Sequence, residues 1–170
     1  DDAVAAGYSF QIDLTTTFTG EDLMEVSLDA GTGETDGIAE FDGNTGGDTL
    51  IVDGVAYTFP IGDKVTALVG ADTDGSALFT TACVYGGPGN LLDDCANVNA
   101  GITGGAITVG ASYDIGGGFT AAFGAQTENT STFTEESADA YALNLAYTAD
   151  DYGLSLTYGV VEATAGDPAV

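Results

Sequence analysis

Hydrophobic and polar residues alternate one by one along most of this chain, the period that turns successive side chains to opposite faces of a β-strand. From Tyr8 the apolar positions are Tyr8, Phe10, Ile12, Leu14 and Phe18, set against Ser9, Gln11, Asp13, Thr15 and Thr17. The next segment sets Met24, Val26, Leu28 and Ala30 against Glu25, Ser27 and Asp29. Further on, Ile107, Val109, Ala111 and Tyr113 alternate with Thr108, Gly110, Ser112 and Asp114, and Phe119, Ala121, Phe123 and Ala125 with Thr120, Ala122 and Gly124. A last pair reads Tyr141, Leu143, Leu145, Tyr147, then Tyr152, Leu154, Leu156, Tyr158 and Val160. Weaker strands are predicted near 50–59, with Val55, Tyr57 and Phe59, and near 64–71, with Val65, Ala67 and Val69; apolar residues there occupy both registers and leave the faces unassigned.

Alternation alone also fits a soluble sandwich, whose strands are apolar inward and polar outward. The connections discriminate better. Those at 19–22, 60–63, 114–118 and 148–151 are short and rich in Gly, Pro and Asp, as tight turns require, whereas those at 31–48, 72–105 and 127–138 are long. Strict exchange of short and long connections predicts an all-β fold: an antiparallel up-and-down β-barrel of outer-membrane type, or about eight strands of a larger one. A Greek-key sandwich has no reason to keep that order.

Phe18, Phe59, Tyr113, Phe119, Tyr147 and Tyr152 all fall beside the short turns, where an interfacial aromatic girdle would lie. Ordinary core aromatics are the competing reading. The polar positions hold Thr, Ser, Gly, Asn, Gln and Asp where a soluble surface would mix Lys with Glu, which suits a wet lumen. By alternation Gln11, Asp13, Glu25, Asp29, Lys64, Asp114 and Gln126 are assigned to that lumen.

Length and charge narrow the picture. The 170 residues allow a single domain, 1–170, or about eight crossing strands of roughly ten residues each. A formal charge of −26, with Lys64 the sole basic residue, removes the groups that neutralise phosphates and excludes nucleic acid as a partner. It equally removes the basic anchors that hold peripheral proteins to anionic lipid. With hydrophobic residues at 44% the chain has apolar surface enough to fold. No run of 18 apolar residues occurs, and the first residues lack the basic and apolar regions of a signal peptide, so a mature or excised sequence is expected.

The segment Tyr8-Ser-Phe-Gln-Ile-Asp-Leu-Thr-Thr-Thr-Phe-Thr-Gly-Glu-Asp-Leu-Met-Glu-Val-Ser-Leu-Asp-Ala-Gly31 resembles the barrel of cyanobacterial outer-membrane porins related to the carbohydrate-selective porin family. The resemblance continues through Val55-Ala-Tyr-Thr-Phe-Pro-Ile-Gly-Asp-Lys64, Ala82-Cys-Val-Tyr-Gly-Gly-Pro88, Tyr113-Asp-Ile-Gly-Gly-Gly-Phe-Thr-Ala-Ala-Phe123 and Asp150-Asp-Tyr-Gly-Leu-Ser-Leu-Thr-Tyr158. Its most specific part is the Phe-Thr-Gly-Glu-Asp turn at 18–22. It implies an outer-membrane pore, monomeric or homo-oligomeric, that passes small solutes, inorganic ions more than sugars. Such porins are similar to larger barrels preceded by a surface-layer-homology domain, and these 170 residues are expected to be a part without that domain. If the short turns face the periplasm, both ends of these strands lie on the long-loop side, so an internal stretch of a larger barrel, or a truncated product, is expected.

Cys83 and Cys95 close a short loop containing Gly86, Gly87, Pro88 and Gly89 within the 72–105 connection. A disulfide is expected, suited to an oxidising location and stabilising by ~3 kcal/mol, because two thiols without histidine leave a zinc shell incomplete. Asp48, Asp53, Asp72, Asp74, Asp93 and Asp94 lie in or beside Gly-containing loops where Ca²⁺ could find oxygen ligands, with plain surface charge as the alternative. Residues 43–52 resemble one imperfect copy of a calcium β-roll repeat, and one copy builds no solenoid. No cofactor is required otherwise.

An enzyme is not expected. There is no histidine to act as a base and no serine in a nucleophile elbow. The Gly-Gly-Gly at 116–118 precedes no helix and supports no phosphate cradle. Asp13 and Glu25 could share a side as a glycosidase pair would, or stand as two lumen charges in water. The expected function is passive diffusion of small hydrophilic solutes or ions across the cell outer membrane, cations favoured by the surrounding carboxylates. The alternative is a secreted or cell-surface acidic β-domain that assembles with copies of itself or with Ca²⁺.

Overall fold

The computed structural model describes residues 8–31, 47–80, 102, 104–127 and 138–162. Eight strands follow one another: β1 (Ser9–Thr16), β2 (Leu23–Gly31), β3 (Gly47–Ile61), β4 (Val65–Ala71), β5 (Ile107–Gly116), β6 (Phe119–Thr127), β7 (Asp139–Thr148) and β8 (Gly153–Val161). Each pairs antiparallel with its sequence neighbours in one sheet ordered β1 to β8, and no helix occurs among the described residues. β1 and β8 do not pair, so the up-and-down sheet stays open. Tight turns join β1–β2, β3–β4, β5–β6 and β7–β8 at one end, and the strand ends that the long connections link lie at the other.

The turns follow from local chemistry. At 116–118 three consecutive glycines take φ of 96°, 64° and 88°, a left-handed path that side-chain-bearing residues rarely follow, and the chain reverses there between β5 and β6.

The register sorts the sheet into two unlike faces. One row across it reads Phe59, Ala67, Ala111, Phe123, Leu143 and Tyr158; the next reads Ile61, Val65, Tyr113, Ala121, Leu145 and Leu156. On the other face the matching rows are Thr58, Leu68, Gly110, Gly124, Ala142 and Gly159, then Pro60, Thr66, Ser112, Ala122, Asn144 and Thr157. In β3 the extra residue Asp53 forms a bulge: Ser27 pairs with Gly54 but Leu28 with Val52. The bulge reverses the parity of β3 beyond it, so Val52 rejoins the apolar face and Ile51 stands opposite Asp29 on the polar one. That reversal is why residues 50–59 read as apolar in both registers.

Burial runs opposite to that of a soluble sheet. The apolar face is open to the surroundings, with Leu154, Leu156 and Tyr158 exposed by 66%, 70% and 65%. Most buried strand positions lie on the face of small and polar residues, among them Leu68, Thr108, Ala122, Ala142 and Asn144. What covers them is the start of the 72–106 connection, which turns back across the sheet. Phe79 and Ile102 pack there with Ala122, Ala140 and Ala142 as a small core.

Candidate functional site

The site is the polar face together with residues 72–80, 102, 104 and 105, which lie across it. The stretch is fixed at successive points. The Asp72 N–H donates to the Gly105 carbonyl at 2.8 Å and the Gly75 N–H to the Ile102 carbonyl at 2.7 Å. The Thr108 hydroxyl donates to the Thr73 carbonyl at 2.8 Å. Further along, the Thr80 N–H donates to Asn144 Oδ1 at 3.2 Å, and the Thr120 hydroxyl meets that of Thr80 at 3.0 Å. Asn144 in turn donates through Nδ2 to the Ser155 and Thr157 hydroxyls, both at 3.0 Å, so this buried amide is fully engaged.

Glycines in the strands make room for the covering backbone. A Cβ at Gly124 would stand 2.1 Å from the Gly75 carbonyl oxygen, and no shift of a side chain could relieve that clash. At the returning end Gln126 holds Gly104 by two bonds, its Oε1 accepting from the Gly104 N–H at 3.1 Å and its Nε2 donating to the carbonyl at 2.7 Å.

Of the residues assigned to the lumen from alternation, Gln11, Asp13, Glu25, Asp29, Asp114 and Gln126 all lie on this face by register. They do not form one cluster. Gln11, Asp13, Glu25 and Asp29 share β1 and β2, with Asp13 Oδ1 accepting from Ser27 Oγ at 2.8 Å and from Gln11 Nε2 at 3.2 Å. Asp13 pairs with Ser27 and Glu25 with Thr15, so the two carboxylates are on one side but not directly opposed. Asp114 sits near the β5–β6 turn, where Oδ1 accepts from the Gly116 N–H at 2.8 Å. Gln126 serves the covering stretch. Lys64 lies in the β3–β4 turn, and its ammonium stands 5.8 Å from the ring centre of Tyr113, a residue of the apolar face.

The aromatics near the tight turns gather in groups. Phe18 and Phe59 both meet Tyr57, at ring separations of 6.0 and 5.2 Å. Tyr147 lies between Phe119 and Tyr152, at 4.6 and 5.9 Å. Tyr113 stands beneath Lys64.

Next to this rim, the 17–22 turn is built around Asp22. Its buried carboxylate accepts from the hydroxyls of Thr17, Thr19 and Tyr57, each at 2.7 Å, and from the N–H groups of Phe18 and Thr19. The Thr17 hydroxyl first, then that of Tyr57 and the Thr19 donors, hold this carboxyl well below the usual carboxylate range, against a smaller opposing effect of burial.

Asn144, Thr80, Thr108 and the Asp22–Tyr57 pair are the parts of the site that sequence reasoning missed. Asn144 had a signal, since it is the one amide on a β7 face otherwise made of alanine and threonine. Cys83, Cys95, Asp93 and Asp94 lie outside the described residues, as does the 82–88 segment. Among the described residues no three carboxylates, histidines or cysteines gather into a metal-binding group. No helix there is long and apolar enough to cross a membrane, which leaves crossing by strands open. Comparison of the chain with protein-family models, curated proteins and solved structures finds no match.

Proposed function

We propose that these strands form part of the wall of an outer-membrane pore, and that residues 72–80 narrow its lumen, so that small hydrophilic solutes and ions cross by passive diffusion with cations favoured. One observation carries the reading: the large apolar residues are exposed on one face of the sheet, while the small and polar residues face a stretch of chain folded over them. A soluble monomer rarely exposes a continuous apolar patch beyond a few hundred Å². Lipid solvates such a face without cost, and a paired sheet satisfies its own backbone within the bilayer. The aromatic groups near the tight turns suit an interfacial belt. The porin resemblance of the sequence supports the same reading, with the outer membrane of a cyanobacterial-type envelope as the location it implies.

Cation preference follows from charge. Lys64 is the sole basic residue against 27 Asp and Glu, and the polar face carries Asp13, Glu25, Asp29 and Asp114. A narrow wet passage lined by one sign of charge concentrates the opposite ion. Nothing in this mechanism makes or breaks a covalent bond.

A second reading rests on the open edges. β1 and β8 are the edge strands of the described sheet, and sheet edges add strands from another chain, as an acidic cell-surface assembly domain would use them. Refolding with and without detergent, followed by single-channel recording in a planar bilayer, separates the two. The pore reading expects β-structure that needs detergent or lipid, and conductance steps with a cation-favouring reversal potential. A detergent-independent, monodisperse β-protein that never conducts sinks it and favours the assembly domain.

A further inference from the structure

Resting on the pore reading, we infer that a groove on the apolar face of β5 to β7 binds one membrane lipid with a primary ammonium headgroup, the ammonium between Asp139 and Glu162 and the acyl chain over Ala125. The groove encloses about 280 Å³, near the lower end of the range for small-ligand sites. Val109, Phe123, Ala125 and Tyr141 form its apolar walls, and Asp139 and Glu162 its acidic margin. Val109, Phe123 and Tyr141 are exposed, so the groove opens to the surroundings of the apolar face.

The register explains both the hollow and its direction. Val109 pairs with Ala125 and Ala125 with Tyr141, so a single methyl group stands between two larger side chains. Phe123 lies one level nearer the tight turns, and Thr127 with its partner Asp139 one level nearer the opposite end. At about 3.4 Å per residue the levels are roughly 7 Å apart, and the groove runs roughly 14 Å from a charged rim toward the middle of the strands. A lipid beside a membrane-crossing sheet has the same polarity along the same axis, its headgroup at the rim and its chain toward the midplane.

The headgroup follows from the rim. Asp139 Oδ1 is buried and accepts no hydrogen bond among the described residues. The Glu162 N–H donates to the Asp139 carbonyl at 2.9 Å, which brings a second carboxylate-bearing residue to the same margin. Like charges on neighbouring strands repel, and a buried carboxylate oxygen without a donor is costly. A ligand that relieves both brings positive charge together with N–H donors, and a primary ammonium supplies three. No basic side chain of the chain takes that place, because Lys64 is the sole one in the sequence and lies in the β3–β4 turn, at the other end of the sheet.

The test is native mass spectrometry of the full chain, refolded in detergent micelles doped in turn with phosphatidylethanolamine, phosphatidylcholine and phosphatidylglycerol of identical acyl chains. Phosphatidylethanolamine should be retained as a single adduct, about tenfold more than phosphatidylcholine, whose quaternary ammonium carries the charge but no N–H donor. Asp139→Asn should bring the two lipids close to parity. Ala125→Leu keeps both carboxylates and fills the hollow, and it should lower retention of phosphatidylethanolamine as well. Asp150→Asn with Asp151→Asn, a larger change of charge in the β7–β8 turn, should leave the preference unaltered. A conducting protein that holds the three lipids equally, or whose preference survives both Asp139→Asn and Ala125→Leu, overturns the lipid site and leaves the pore reading standing. Retention of phosphatidylglycerol alone, and only with Ca²⁺ present, overturns the ammonium in favour of a metal bridge. A chain that is β-structured and monodisperse without detergent, and retains no lipid, overturns both the site and the pore.

Discussion

The phenolic hydroxyl of Tyr57 donates to the carboxylate of Asp22 at 2.7 Å, joining the turn of the first hairpin to the third strand across 35 residues of sequence. The same carboxylate gathers the backbone and hydroxyl donors of the turn itself. A single ionised side chain thus closes the β1–β2 turn and locks it to β3, because both oxygens of a carboxylate accept hydrogen bonds whereas a neutral amide offers one acceptor oxygen and a donor NH2 group.

Asp22→Asn should therefore destabilise the fold, and Tyr57→Phe should do so less, since it removes one donor and leaves the turn intact. The effect depends on pH. A carboxyl whose folded value lies below its unfolded value of about 3.9 contributes stability at every pH above that value, and loses it as the pH falls through 4 and below. The difference in urea midpoint between the wild type and Asp22→Asn should be full at pH 7 and shrink at pH 3. A difference that stays constant between those values would show that the charge of Asp22 is not what matters.

The hairpins were legible in the sequence because the two-residue period is strong in them and glycine, proline and aspartate mark the tight turns. The order of short and long connections then led to the up-and-down sheet. Residues 50–59 resisted assignment for a physical reason, since the bulge at Asp53 changes which face each residue serves midway along β3. Lys64 stands outside the strands, in the β3–β4 turn, where a two-residue period assigns no face. Residues 72–80 carry no period at all; their position depends on Gly124, Thr108 and Asn144, far along the chain, and each looks ordinary where it stands.

Asn144→Ala should loosen the covering stretch. It removes the acceptor of the Thr80 N–H and the amide that ties this stretch to Ser155 and Thr157 of β8, at a cost of about 1–3 kcal/mol for the part-buried Thr80 N–H left unpaired. Limited proteolysis of the folded protein reads this directly. Cleavage within 72–80 should quicken relative to the wild type while the strands stay protected; equal cleavage rates would mean that Asn144 does not hold the stretch.

Gly124→Val goes further, because the added atoms meet the Gly75 backbone, which cannot turn aside as a side chain can. Overpacking of this kind costs roughly 1–3 kcal/mol, and the relief available is displacement of 72–80 from the sheet. Single-channel conductance should rise in this variant. A fall, or no change in a folded protein, would place the narrowing of the lumen elsewhere.

Leu145 tests the apolar face. It is mid-strand in β7, half exposed, in the row with Tyr113 and Leu156, and its neighbour Asn144 points to the opposite side. In water an exposed leucine can become arginine at little cost, whereas near the midplane of a bilayer the same change costs about 2–4 kcal/mol. Leu145→Arg should accordingly lower the free energy of unfolding in lipid vesicles by that amount, and Thr15→Arg, on the polar face of β1, should leave it close to the wild type. Equal tolerance at both positions would mean that no lipid meets the face of Leu145, and the exposed apolar rows would then require a protein partner to cover them.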